Sequence, residues 1–230
     1  MAQQEVWEKE YETGTLVSKD DQPQAFMKRY IRRFTFMSGK EPSEWRVLDL
    51  GCGTGRNSNH LASLGADVVG VELAKNALDL AQKRADEMGV KVNYIHQSIG
   101  EPLPLEDNSF DMILDITSSN SLNEAEREIY IKEAARLLKP GGAFLVRALS
   151  LDNDKNAKNL LKLYPGPEKY TYIMPKTGIV ERIFLRQDFR KMYAEHFKVK
   201  KLQQFATYTP FEGQPYKRFF WFGWFTKLEE

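Results

Sequence analysis

The sequence predicts an α/β fold: a doubly wound, seven-stranded sheet, mostly parallel, with an antiparallel pair of strands at its C-terminal end and helices on both faces. Three observations predict it. Short apolar runs alternate with helix-periodic segments from Arg46 to Ala148, the rhythm of parallel β-α-β units. The first of these runs ends in the glycines Gly51, Gly53 and Gly55 and is followed at once by a helical pattern. The last two strand-like segments, Lys198 to Tyr208 and Lys217 to Leu228, are joined by a short connection around Gly213, so they should pair antiparallel.

In chain order, Phe26, Tyr30, Ile31 and Phe34 recur at helical spacing between basic residues, which gives an amphipathic helix over Ala25 to Phe36. Arg46 to Leu50 is an apolar strand, Asn57 to Gly65 a helix, Val68 to Val71 a strand and Ala74 to Met88 a helix. Strands at Val92 to His96, Phe110 to Ile116 and Ala143 to Ala148 continue the pattern. A helix from Glu124 to Leu138 precedes the last of these and is stopped by Lys139-Pro140-Gly141-Gly142, because proline and glycine end helical hydrogen bonding. Beyond Arg147 a polar stretch with Pro165, Pro167, Pro175 and Gly178 runs to about Val180, followed by a helix from Arg186 to His196. Phe219-Phe-Trp-Phe-Gly-Trp-Phe225 has no polar alternation, which predicts an interior strand covered on both faces.

Composition narrows the function classes. The 230 residues carry 33 Lys and Arg against 32 Asp and Glu, a net charge of +1, so no global field recruits nucleic acid or an anionic membrane. A lone cysteine, Cys52, excludes an intramolecular disulfide framework and fits a reducing compartment, with the cytoplasm as the expected location. Met1 to Glu10 lacks the apolar stretch of a signal peptide, and no segment approaches the ~20 apolar residues of a membrane span. His60, His96 and His196 lack the paired spacing of metal ligands, so no metal site is expected.

In Val47-Leu-Asp-Leu-Gly-Cys-Gly-Thr-Gly55 the glycines let the backbone bend sharply and approach a ligand without a Cβ in the way. The loop opens a helix, whose free N–H groups suit an anionic group. About 20 residues on, Glu72 ends the second strand, where a carboxylate can accept hydrogen bonds from both hydroxyls of a ribose. A nucleoside ligand follows. A dinucleotide fingerprint wants a third glycine where this chain has Arg56, so the spacing is Gly-x-Gly-x-Gly. Cys52 has no base paired with it in sequence and reads as loop packing.

This run resembles the first motif of the class I S-adenosylmethionine-dependent methyltransferases, an acidic residue followed by that glycine spacing, here Asp49 to Gly55. Similar features continue through Glu72, Leu103-Pro104, Phe110-Asp111 and Leu137-Leu-Lys-Pro-Gly-Gly142, covering roughly Val47 to Arg147. The resemblance implies a Rossmann-like fold and S-adenosylmethionine as cofactor. It places Asp49 and the loop Gly51, Cys52, Gly53 and Gly55 at the methionine part, Glu72 at the ribose and Leu73 against the adenine. Where the family often has an Asp bonding the adenine amino group, this chain has Ser98 followed by Ile99. Gly55-Arg-Asn-Ser58, His60-Leu-Ala and Leu64-Gly65, with Trp7-Glu-Lys-Glu-Tyr11 upstream, resemble the narrower tellurite-resistance and thiopurine methyltransferase group.

On this reading the chain is one domain: an N-terminal helical cap over 1–40, a cofactor-binding core over 41–147, a substrate lid over 148–180, and a C-terminal helix and strand pair over 181–230. The segments after the fourth and fifth strands face the acceptor, since ligands sit beyond the carboxyl ends of parallel strands. Candidate catalytic residues are Asp115, Asn120 and Arg147. Asp115 or Asn120 would orient an acceptor amine or hydroxyl, with Asp115 also taking its proton. The alternative is that Asp115 meets only cofactor or backbone and Asn120 caps the next helix. Arg147 would pair with a substrate carboxylate, or form a structural ion pair. Trp7, Tyr11 and the Ala25 to Phe36 helix would close the other side of the cleft.

A small-molecule acceptor is expected, because no recognition domain or basic face is evident; protein or RNA methylation comes second. A non-catalytic S-adenosylmethionine-binding partner subunit would share every motif. A nicotinamide-dependent oxidoreductase would share the sheet but not the loop spacing at Arg56.

Overall fold

The computed structural model describes residues 3–13, 21–211 and 214–228. An amphipathic polar helix, α1 (Gln4–Thr13), precedes α2 (Ala25–Ser38), which Gly39 closes in a left-handed cap. Then β1 (Arg46–Leu50), α3 (Arg56–Ser63), β2 (Asp67–Glu72), α4 (Lys75–Met88), β3 (Asn93–His96) and β4 (Phe110–Ile116) alternate as the apolar runs require. They are followed by α5 (Glu124–Leu137), β5 (Leu138–Leu149), α6 (Lys155–Leu163), β6 (Thr171–Ile173), β7 (Val180–Arg182), α7 (Arg186–Ala194), β8 (Phe197–Phe211) and β9 (Gln214–Lys227).

The main sheet has seven strands in the order β3-β2-β1-β4-β5-β9-β8. Neighbours from β3 to β5 are parallel, whereas β9 runs antiparallel to both β5 and β8. Strand order reverses between β1 and β4, and such a reversal opens a crevice beyond the carboxyl ends of the two strands. β9 is an interior strand, as its unbroken apolar run predicts. Trp221 and Phe225 face a core cluster with Phe189, Tyr193 and Phe197, while Phe222 and Trp224 face Tyr30 and Phe34 of α2 on the opposite side. The rings of Tyr30 and Phe222 stack with centroids 5.2 Å apart. So α2 covers a face of the sheet and does not close the cleft.

Two segments differ from the sequence expectation. The fifth strand begins at Leu138, directly after α5, and not at Ala143. Proline and glycine end the helix there, yet Leu138 pairs with Phe110 before the register shifts to Met112 opposite Ala143, so Lys139 to Gly142 form an irregularity inside the strand. The span 148–180 is also more than a loop: it holds α6 and, with β7, a two-stranded sheet around a third apolar cluster that includes Leu151, Leu160, Tyr172 and Phe220. Asp154 fastens this insertion. Its carboxylate accepts the Ala157 N–H at 2.8 Å as the N-cap of α6, the Phe219 N–H at 2.9 Å and the Arg218 Nε–H at 3.1 Å. Among the described residues no helix is long and apolar enough to cross a membrane.

Candidate active site

A cavity of about 860 Å³ opens beyond the carboxyl ends of β1, β2, β4 and β5. On one side it is walled by the glycine loop after β1, by Glu72 and Leu73 at the end of β2, and by Ser98 and Ile99 after β3. Ile116, Thr117 and Ser118 form its floor between the two halves, and Arg147, Phe220 and side chains of α6 form the far side.

Gly51 and Gly53 lie at φ +68° and +54°, in the left-handed region that favours glycine. A Cβ on Gly51 would stand 2.3 Å from both Cβ and Oγ of Ser118, whose hydroxyl donates to the Gly51 carbonyl at 3.0 Å. The bend is therefore packed against the turn that leaves β4. That turn is itself strained, since Thr117, a β-branched residue, sits at φ +69°.

Three carboxylates approach the bend. Asp49 is 2% exposed and accepts the Ser58 hydroxyl at 2.6 Å. Burial pushes its pKa up to about 6, with the neighbouring Asp115 and Glu72 adding to the rise and Ser58 opposing it. Glu72 accepts the Gly53 N–H on one oxygen and the Leu73 and Ala74 N–H groups on the other, each at 2.9 Å. Burial raises its pKa and these three amides hold it down. An ionised carboxylate offers roughly four lone-pair positions, so about one remains for a ribose hydroxyl; holding both would require the Gly53 amide to let go.

Asp115 is not on the cavity wall. It is fully buried, one oxygen accepting the Ser118 and Ser119 N–H groups at 2.9 and 3.3 Å and the other accepting the Tyr130 hydroxyl at 2.6 Å. Along β4 side chains alternate between faces, and Asp115 falls on the α5 side with Tyr130. With both oxygens engaged in the interior it is not placed to take a proton from an acceptor. Asn120 is likewise enclosed, 1% exposed, its Oδ1 accepting the Leu149 N–H at 3.4 Å. It does not cap α5 either: Asn123 does, in a capping box with Glu126. Arg147 does line the cavity, its guanidinium carbon 3.6 Å from the centroid of the Phe220 ring.

Cys52 is buried, and burial pushes its thiol well up, so it stays protonated and inert. Ser98, 4% exposed, accepts the Gly100 N–H at 3.1 Å, and its neighbour Ile99 contributes apolar wall. Among the described residues no group of three His, Cys, Asp or Glu side chains could hold a metal ion.

Within the N-terminal cap expected over 1–40, it is α1, and not α2, that lies at the cavity. Trp7 and Tyr11 line the cavity and pack on each other, ring centroids 6.0 Å apart. The Glu8 carboxylate accepts the Lys75 and Asn76 N–H groups at 2.6 and 3.0 Å, capping the positive end of α4 from a distant part of the chain. Gln3, just before α1, exchanges hydrogen bonds with the Val180 backbone at 2.7 and 3.0 Å. The aromatic pair at helical spacing was the available signal; the anchoring contacts span 67 residues or more and leave no local trace.

These residues fit an adenosyl sulfonium better than a dinucleotide. The bend at Gly51 and Gly53 lines the cavity beside Asp49 and Glu72, while α3 opens with Arg56 where the close helix–strand contact of a dinucleotide loop needs glycine.

Residues 47–142 match the model of a family described as a methyltransferase domain. A ubiquinone biosynthesis O-methyltransferase of Maricaulis maris is 32% identical over 126 residues, 54% of this chain and 49% of that protein. The protein of the same description from Coxiella burnetii is 30% identical over 167 residues, 73% of this chain and 66% of its own length. The chain thus spans about half to two thirds of these relatives. A SAM-dependent methyltransferase of Methanosarcina mazei shares the fold, with a TM-score of 0.73 at 22% identity over 85% of this chain and 98% of that one. The matched span runs from β1 into the irregularity of β5 and takes in the glycine bend and the carboxylate ending β2, and the chain belongs to the class I S-adenosylmethionine-dependent methyltransferases.

Proposed function

We propose that this protein transfers the methyl group of S-adenosylmethionine to a nucleophilic oxygen of a small molecule. The observation that carries this reading is the continuity of the cavity, which joins the glycine bend and Glu72 to a second chamber between Arg147 and α6. The names of the relatives support an oxygen nucleophile on a small acceptor.

When bound, the cofactor supplies a methyl group already activated on a sulfonium, so the protein has to align an acceptor and exclude water. Asp49 and the backbone of Gly51 to Gly55 face the amino-acid tail, with Cys52 filling the loop beneath it. Glu72 takes a ribose hydroxyl, and Leu73, Ser98 and Ile99 enclose the adenine. Tyr11 and Trp7 cover the ligand from outside. Asp115 and Asn120 hold the floor of the site from within and touch neither ligand. The single buried Cys52 suits a reducing compartment, and the cytoplasm is the location we assign.

Incubation with methyl-labelled S-adenosylmethionine and fractionated cell extract tests the reading. Label is expected in the small-molecule fraction, together with S-adenosylhomocysteine. Label confined to protein or RNA, or no S-adenosylhomocysteine with any fraction, would overturn it.

A further inference from the structure

The basic side chains that line the cavity, Arg56, Arg147, Lys176 and Arg218, are not all partnered alike. Four carboxylates line the cavity, and each is engaged elsewhere: Asp49 by Ser58, Glu72 by three backbone amides, Glu126 in the cap of α5, and Glu181 by the Tyr172 hydroxyl. Arg218, at the same wall, is satisfied by Asp154 at 3.1 Å and by the Tyr172 hydroxyl at 3.3 Å. Arg147 is different. Among the described residues it has no carboxylate partner and no hydrogen-bond acceptor, and its one contact of note is the face of Phe220. A guanidinium carries five N–H donors and cannot give up its charge at neutral pH. Arg147 is only partly buried, and its unpartnered N–H groups face the open cavity, where an anionic ligand can reach them.

Its surroundings sharpen the point. Burial, then the nearby positive charges of Arg56 and Arg218, lowers the Arg147 pKa to about 10, so it stays cationic at neutral pH. Stacking on Phe220 fixes the planar group against the sheet, which suits two-pronged binding of a planar anion. Around it Leu149, Leu160, Leu163 and Met174 supply apolar wall, and Asn156 and Asn159 of α6 supply neutral polar groups. This sets a cation held against Phe220 beside apolar wall.

We propose that the methyl acceptor is a carboxylic acid with an apolar body, its carboxylate held by Arg147 and its body lodged between Phe220 and α6. This rests on the methyltransferase reading and adds the acceptor's charge to it. Arg147 is a binding residue here and takes no part in bond-making.

The test is calorimetric, at pH 7.5, on protein loaded with S-adenosylhomocysteine. The probes are hydroxybenzoates and hydroxycinnamates, each beside its uncharged primary amide. At least one acid is expected to bind about tenfold or more tightly than its amide. That preference should vanish in Arg147→Met, which keeps the packing on Phe220, and return in part in Arg147→Lys. Uptake of S-adenosylhomocysteine by each variant verifies that it is folded. Acid and amide bound equally, no acid bound by the loaded protein, or the preference surviving in Arg147→Met would overturn the inference alone. Failure of the wild-type protein to take up S-adenosylhomocysteine would overturn the underlying reading instead.

Discussion

The phenolic oxygen of Tyr11 lies over Gly53, 2.7 Å from where a Cβ on that glycine would stand. A helix from the start of the chain thus reaches into the bend after β1. Burial, and then the charge of Glu72, pushes the Tyr11 pKa well up, so the group is a neutral donor beside the cofactor's place. Tyr11→Ala would open that side to water, and we expect S-adenosylhomocysteine to bind about tenfold more weakly and dissociate faster, read by stopped-flow and calorimetry. Tighter binding by the alanine variant would mean that Tyr11 obstructs the site.

Asp49 predicts a pH dependence. Its pKa in the folded protein, about 6, lies above the ordinary 3.8, so the folded state holds this proton more tightly than the unfolded one. The stability this group contributes is full below the ordinary pKa and is lost as pH rises through about 6. An amino-acid ammonium reverses the preference by favouring the carboxylate. Below pH 6 the affinity for S-adenosylhomocysteine should therefore fall about tenfold per pH unit. Asp49→Asn should bind more weakly at pH 7 and lose most of that slope. An equal slope in the variant would assign the titration to another group, Glu72 and Asp115 being the other buried carboxyls beside it.

Asp115→Asn separates architecture from chemistry. A general base contributes about 10²–10⁴-fold to turnover. Because both Asp115 oxygens are engaged by Ser118, Ser119 and Tyr130, turnover per folded molecule should stay within about threefold of wild type. Asp115→Ala strands those donors and should lower stability by about 3 kcal/mol in denaturant melts. Turnover lost a hundredfold in the asparagine variant at unchanged stability would restore Asp115 as a base.

The strands and their succession along the chain were legible because period, glycine and proline carry local information. The runs at Val47, Val68 and Phe110 are buried on both faces, and the apolar run at Phe219 to Phe225 could only be an interior strand. The places of the bend and of Glu72 at the ends of β1 and β2 were legible for the same reason. What escaped depends on contacts distant in sequence. Nothing local in Gln4–Thr13 shows that Glu8 will cap α4. The polar stretch after Arg147 hides α6 and a small sheet because its core is shared with Phe220, far along the chain. Asp115 looked catalytic because it ends a parallel strand, but which face its side chain takes is set by the register of β4 against β1, and Tyr130 of α5 claims it.

Titration of S-adenosylhomocysteine into the folded protein, followed by calorimetry beside an equal titration with NAD, tests the central claim most directly. The geometry around Gly51, Gly53 and Glu72 predicts saturable uptake of S-adenosylhomocysteine at one site per chain and no heat from NAD. Uptake of NAD in its place, or of neither compound, would contradict it.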